Sequence, residues 1–401
     1  MQLRKDNIIV VVACLLFIEF LSGVDWGIHR GLSSLFTKEV LLITSFTQIG
    51  FVVSVFGITK AITNLGFGAL SDSIGRKPVI VLGMILSGLG GATIALAKNY
   101  DSMLIGTALI GVGGGSTFVG IMVSMTETLN SRIGLAMGLF ELAAYGGSSF
   151  GTALGGYLAV AHGLRYPFII FVFLSAAGAV AGFFLMPETK FMEKKEKTTF
   201  KLSRIHRSDF LHIVPLCIAG FSSKIMDSLI ISFLPLHLSE LKMNIKGISA
   251  IMSAFTFSWA LFQPLSGHLS DKLGRKRITL LGLTSSSVTI LAFTATSNFL
   301  FLILIALILG IEAALFYTPL VAMVSDIAPP ELEGTLIGSY RFFRDMGYFV
   351  GPILLGAIAD KIGIQYAFYA TSLSLFTAMI IFYIFSKETI STIFQHKNVD
   401  I

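Results

Sequence analysis

Gly68-Ala69-Leu70-Ser71-Asp72-Ser73-Ile74-Gly75-Arg76-Lys77 returns 199 positions later as Gly267-His268-Leu269-Ser270-Asp271-Lys272-Leu273-Gly274-Arg275-Lys276. The shared frame is Gly-x3-Asp-x2-Gly-Arg-Lys, in a chain of 401 residues. A second pattern has nearly the same offset: Gly138, Gly147, Gly151 and Gly156 reappear 200 positions on as Gly338, Gly347, Gly351 and Gly356. A period of half the chain means two copies of a whole bundle and not a solenoid of short repeats.

Composition places those bundles in a membrane. Apolar residues make up 54% of the chain and charged residues 13%, against about 25% charged in soluble domains; the mean hydropathy is +0.82. Twelve apolar stretches are expected to span as helices, at 7–28, 41–66, 78–97, 103–126, 133–160, 166–186, 209–235, 248–269, 278–296, 299–326, 335–359 and 364–385, each near or above the roughly 20 residues that cross hydrocarbon. Runs such as 299–309 show no alternation, which excludes a β-barrel and leaves helices as the only spanning structure. The predicted fold is all-α, two pseudo-symmetric six-helix bundles: 1–187, a cytoplasmic linker at 188–208, 209–387, and a cytoplasmic tail at 388–401. The first stretch holds Glu19 and Asp25 and lacks a small-residue cleavage site, so it is read as a retained helix and not a signal peptide. Cys14 and Cys217 both fall inside spans and predict reduced thiols, not a disulfide framework.

With the N-terminus inside, the cytoplasmic loops carry 18 of the 29 lysines and arginines and the opposite loops carry seven, Arg30 and Lys38 among them. The positive-inside rule therefore puts both termini in the cytoplasm, with an inner or plasma membrane expected. That asymmetry also accounts for the formal charge of +6, so no nucleic-acid partner is expected. Gly113-Gly114-Gly115-Ser116 has no lysine, no Gly-x4-Gly-Lys-Ser/Thr occurs, and the histidines form no metal spacing; neither nucleotide, cofactor nor metal is expected.

The remaining charges lie within the membrane, where each costs roughly 2.5–3.5 kcal/mol unless it faces a partner or a wet cavity. Counted from the helix ends at 1.5 Å per residue, Glu19, Lys224 and Glu312 lie roughly 18–22 Å from the cytoplasmic edge, and Lys60, Glu141, Arg344 and Asp345 roughly 12–15 Å. Asp25 and Asp227 are placed near the outer mouth. Glu141 falls at the position equivalent to Arg341, an inversion of charge between the copies.

The doubled Gly-x3-Asp-x2-Gly-Arg-Lys loops, after the second and eighth helices of a 6+6 chain, resemble the signature loop of the major facilitator superfamily over the whole chain. The ladder Gly138-x8-Gly147-x3-Gly151-Thr152-x2-Gly155-Gly156 is similar to the antiporter signature of its drug–proton antiporter branch. Thr152 stands where that branch has proline, although the second copy has Pro352 after Gly351, and Thr107 stands where it has an arginine ahead of Gly111 and Gly113. Small residues at four-residue spacing also serve close helix packing whatever is transported.

The resemblance implies secondary active transport of a small organic molecule through a cavity lined by the first, fourth, seventh and tenth helices. It brings Glu19, Lys224 and Glu312 within reach of one another. Glu19 is read as a protonatable carrier or as the permanent partner of Lys224. Proton-coupled efflux is expected, with proton-coupled or uniport import of a metabolite, or a non-transporting receptor or scaffold, as alternatives; a monomer is expected. Lys60 and Asp345 are expected to pair between bundles, with Arg341 to Asp345 as an alternative at i, i+4. In the repeated loops, Gly68 and Gly267 are expected to admit a close helix, Asp72 and Asp271 to accept backbone N–H groups, and Arg76 and Arg275, flanked by Lys77 and Lys276, to latch the cytoplasmic side.

Overall fold

The computed structural model describes residues 5–129, 133–189, 207–328 and 333–390. The N-terminal bundle comprises α1 (Lys5–Glu39), α2 (Phe46–Ile74), α3 (Arg76–Ala95), α4 (Tyr100–Thr128), α5 (Ile133–His162) and α6 (Tyr166–Phe184). The C-terminal bundle comprises α7 (Arg207–Ser232), α8 (Leu234–Glu240), α9 (Ile245–Leu273), α10 (Arg275–Ala292), α11 (Phe299–Ile327), α12 (Glu333–Ile362) and α13 (Gln365–Phe385). Among the described residues ten segments are long and apolar enough to cross a membrane, with α7 and α8 forming one of them. Helices α5 and α10, of 30 and 18 residues, stand among these and complete the twelve.

Two boundaries differ from the sequence reading. Helix α1 does not stop at 28 but runs on to Glu39, so Arg30, counted above as an outer-loop charge, is a helical residue only 1% exposed. The seventh span breaks at Phe233, because Pro235 at the start of α8 offers no N–H to the preceding turn. The repeat also extends into the loops: Leu42 and Lys242, 200 residues apart, both adopt positive φ, 57° and 60°.

Helix α1 packs on α5 at backbone distance. Gly23 and Gly27 face the carbonyl oxygens of Ala144 and Ser148, and Gly147 and Gly151 face those of Phe20 and Val24. Without side chains between them the helices gain dispersion and close fit, the main sources of association between helices in lipid. Gly155 packs on Leu32 and Ile28, and Gly347 and Gly351 face Phe221 and Ser228 of α7 in the second copy. Gly138, read above as a packing residue, is exposed and has nothing within 4 Å of the place a Cβ would take. A Cβ on Gly267 meets only the Thr318 methyl, at 3.5 Å, so it too is not a close-packing residue. The surroundings of Gly68 lie outside the described side chains.

The bundles meet along two seams, α2 with α12 and α5 with α9. A Cβ on Gly50 falls 2.5 Å from the Pro352 carbonyl oxygen, one on Gly356 falls 2.6 Å from Thr47 Cα, and Gly156 abuts Ser249. Asp360, near the end of α12, accepts hydrogen bonds from Phe46 N (2.6 Å), Thr47 N (2.9 Å) and Ser45 Oγ (2.9 Å) at the start of α2. A carboxylate on exposed helix N–H groups is favoured by hydrogen bonding and by the helix dipole together. All these contacts lie at the end away from the termini. Gly356→Leu is expected to wedge the α2–α12 seam and, by parting the bundles, raise maleimide labelling of a cysteine at Ser149, which hydrogen-bonds Ser253 across the α5–α9 seam, in a background without Cys14 and Cys217, by roughly tenfold, the effect of about 1.4 kcal/mol on a two-state equilibrium.

Candidate functional site

At the end that carries the termini the bundles separate around a cavity of about 1030 Å³. Its walls come from both halves: Asn64, Met122 and Glu141 on one side, Gln263, Tyr317 and Arg341 on the other. Gly138, Gly267, Asp271 and Asp345 also reach it.

Beyond its blind end is a buried ionic cluster that joins the two bundles. Arg30 of α1 pairs with Asp227 of α7, Lys224 Nζ lies 3.0 Å from the other Asp227 oxygen, and the Tyr348 hydroxyl of α12 donates to the same carboxylate. Asp227 is therefore a hub, fully buried and not at a mouth. Lys224 does not pair with Glu19; it lies over the rings of Tyr348 (4.6 Å), Trp259 (5.3 Å) and Tyr317 (5.8 Å), where a cation gains from the ring quadrupoles.

Glu19 and Asp25 belong to a separate side chamber of about 50 Å³ in the N-terminal bundle, lined also by Lys60 and Trp26. Asp25 is buried and accepts a hydrogen bond of 2.5 Å from Ser175, so it too is not a mouth residue. Glu19 is 3% exposed and its Oε2 has no hydrogen-bond partner among the described residues. Lys60 Nζ lies 5.0 Å from the Phe118 ring and 5.1 Å from that of Trp26.

The expected Lys60–Asp345 pair is not formed. Asp345 pairs with its chain neighbour Arg344 at 2.8 Å, which also displaces the alternative with Arg341. Lys60 keeps Asp345 and Glu19 within electrostatic reach only. Arg341 instead donates to the Met122 thioether across the cavity, at 3.5 Å. Glu312 does not enter the cavity. It faces α10, where Thr289 donates to it at 2.9 Å, because the height of a residue along a helix leaves its direction around the axis undetermined.

The repeated loops form two matching junctions, each inside one bundle. Gly75 and Gly274 turn the chain at φ of 106° and 103°, a region that glycine enters without the Cβ penalty. Arg76 pairs with Asp72 and Glu127, both at 2.7 Å, and Arg275 with Asp271 at 3.1 Å and Asp326 at 2.5 Å. The backbone N–H groups that start α3 are taken not by Asp72 but by Glu188, at 2.9 Å from Arg76 N and 3.2 Å from Lys77 N. Glu388 does the same for Arg275 and Lys276, at 2.9 and 3.1 Å. Among the described residues the ion pairs of each junction tie helices of its own bundle, in a structure whose cavity end is open. Glu188 and Glu388, assigned above to linker and tail, are docked structure; the rest of those segments, 190–206 and 391–401, lies outside the described residues. The repeated Glu-Thr at 188–189 and 388–389 was the sequence signal for this.

The family model of the Major Facilitator Superfamily matches residues 15–215 and again residues 216–395. The chain belongs to the major facilitator superfamily. It is therefore a multi-pass membrane transporter of small molecules and not an enzyme. Multidrug resistance protein 2 of Bacillus subtilis is 26% identical over 380 residues, covering 91% of this chain and 92% of that one. Multidrug resistance protein MdtG of Escherichia coli is 24% identical over 385 residues, covering 92% and 91%. The crystal structure of a mutant of the nucleoside transporter NupG superposes with a TM-score of 0.81 at 15% identity, covering 94% of this chain and 100% of that one; at that identity the likeness concerns the fold alone.

Proposed function

We propose that this transporter exports small organic molecules by alternating access in exchange for protons, with both termini and the open cavity facing the cytoplasm of a plasma-membrane protein. The observation that carries the reading is the one-sided cavity of about 1030 Å³, lined from both bundles while the opposite seams are closed. Two rigid halves around a site reached from one side at a time are the physical requirement of the mechanism. The orientation is supported by the basic loops on the terminal side, and export by the relatives named for multidrug resistance.

Glu19 is the proposed proton carrier. Its buried oxygen, without a hydrogen-bond partner among the described residues, sits in a chamber beside the cavity that Lys60 also lines without forming an ion pair to it. Asp227, held by two cations and a hydroxyl, serves instead as the joint between bundles. The arginine absent from the fourth span has no substitute at Thr107, which is buried 3.4 Å from His29 Nε2. Glu19→Gln in proteoliposomes is expected to retain substrate binding and abolish substrate-driven proton flux. Flux at the wild-type rate in that variant would remove Glu19 from the coupling path.

A further inference from the structure

Two pairs of equivalent polar residues line the cavity, and each residue keeps a buried polar atom without a hydrogen-bond partner among the described residues. Glu141 of α5 and Arg341 of α12 stand 200 positions apart, and Asn64 of α2 and Gln263 of α9 stand 199 apart. All four face the same cavity. Glu141 Oε2, Asn64 Oδ1, Arg341 Nε and Gln263 Nε2 are buried and without a hydrogen-bond partner among the described residues. A buried polar atom left in this way is costly, and more so when charged, and here the cost is repeated at matching positions of both copies. Of the other charges nearby, Asp227 is engaged with Arg30 and Lys224 and Asp345 with Arg344; Lys60 and Arg341 lie within electrostatic reach of Glu141, and neither forms an ion pair with it among the described residues.

The polarity is divided between the bundles. The N-terminal half presents the Glu141 carboxylate and the C-terminal half the Arg341 guanidinium, while Asp271 and Asp345, which also reach the cavity from the C-terminal half, are paired with Arg275 and Arg344; the amides, each donor and acceptor, accept either polarity. Between them Met122, Met137 and Phe342 supply adaptable apolar wall. We infer that these four residues form a two-ended subsite for a zwitterionic amphipath, its cationic end on Glu141 and Asn64 and its anionic end on Arg341 and Gln263. Such a ligand bridges the bundles, so it is held at both ends only when they approach, which links occupancy to the closing motion. The inference rests on the transporter reading above and deepens it.

Rhodamine B and its ethyl ester test this directly, because they share a cationic ring system and differ in a carboxylate. Binding is read by fluorescence polarisation on the full-length protein in nanodiscs. The zwitterion is expected to bind wild type about tenfold more tightly than the ester, the yield of one charge-assisted contact of about 1.4 kcal/mol. Arg341→Gln should erase that preference, Arg341→Lys should keep much of it, and Glu141→Gln should weaken both dyes alike. Equal binding of the two dyes to wild type, failure of both to bind, or an equal loss of both in Arg341→Gln would overturn the subsite. None of these outcomes touches the export reading, which falls only if no substrate drives proton flux in proteoliposomes.

Discussion

Asp227→Ala is expected to lower stability by about 3–5 kcal/mol, the cost of removing one partner from a buried ion pair and leaving the other uncompensated. Here two cations lose their counter-ion at once. Arg30 and Lys224 are 1% and 4% exposed, and Tyr348 loses its acceptor as well. A steep fall in the thermal unfolding midpoint in detergent is the expected reading. Adding Arg30→Met and Lys224→Met should recover part of it, since a buried ion cluster is often replaceable by apolar side chains of similar volume. A midpoint unchanged in Asp227→Ala would mean that the cluster is wet and carries no structural weight.

Gly151→Val is the second large effect. The added Cβ falls on the Val24 carbonyl oxygen, and backbone on that side cannot rotate away as a side chain would. Relief requires α1 and α5 to part along a seam that Gly23, Gly27 and Gly147 also hold close. The cost is expected at or above the upper end of the roughly 1–3 kcal/mol typical of overpacking, read as loss of monodisperse protein and of unfolding midpoint. Gly138→Val is the control, because nothing stands within 4 Å of its Cβ position. Equal loss in both variants would contradict the packing described here.

The doubling, the twelve spans and the membrane setting were legible because each is written in one dimension, as an offset or a run of apolar residues. What the sequence reading missed lies in directions around helix axes. Glu312 has the depth of a cavity residue and points at α10. The end of α1 reads too early because its hydropathy falls after residue 28, yet Asp25, His29, Ser33 and Thr37 recur every four residues and are all buried. That spacing, with Gly23, Gly27 and Gly31 beside it, marks a helix that turns its polar face to the protein and not to lipid. Arg30 was lost with that end, and with it the partner of Asp227. The pairing of Asp345 with adjacent Arg344 shows the same limit, since equal height on two helices does not bring two side chains together.

The measurement that tests alternating access most directly is a pair of spin-label distances in the reconstituted protein without Cys14 and Cys217. One pair, at His162 and Lys246, spans the closed seam between α5 and α9; the other, at Ser73 and Lys272, spans the open end at equivalent positions of the two repeats. On adding a transported compound and a proton gradient, the first distance is expected to lengthen as the second shortens. If both distances stay fixed under conditions that support transport, or change together in the same direction, the account of two bundles rocking about a central site is contradicted.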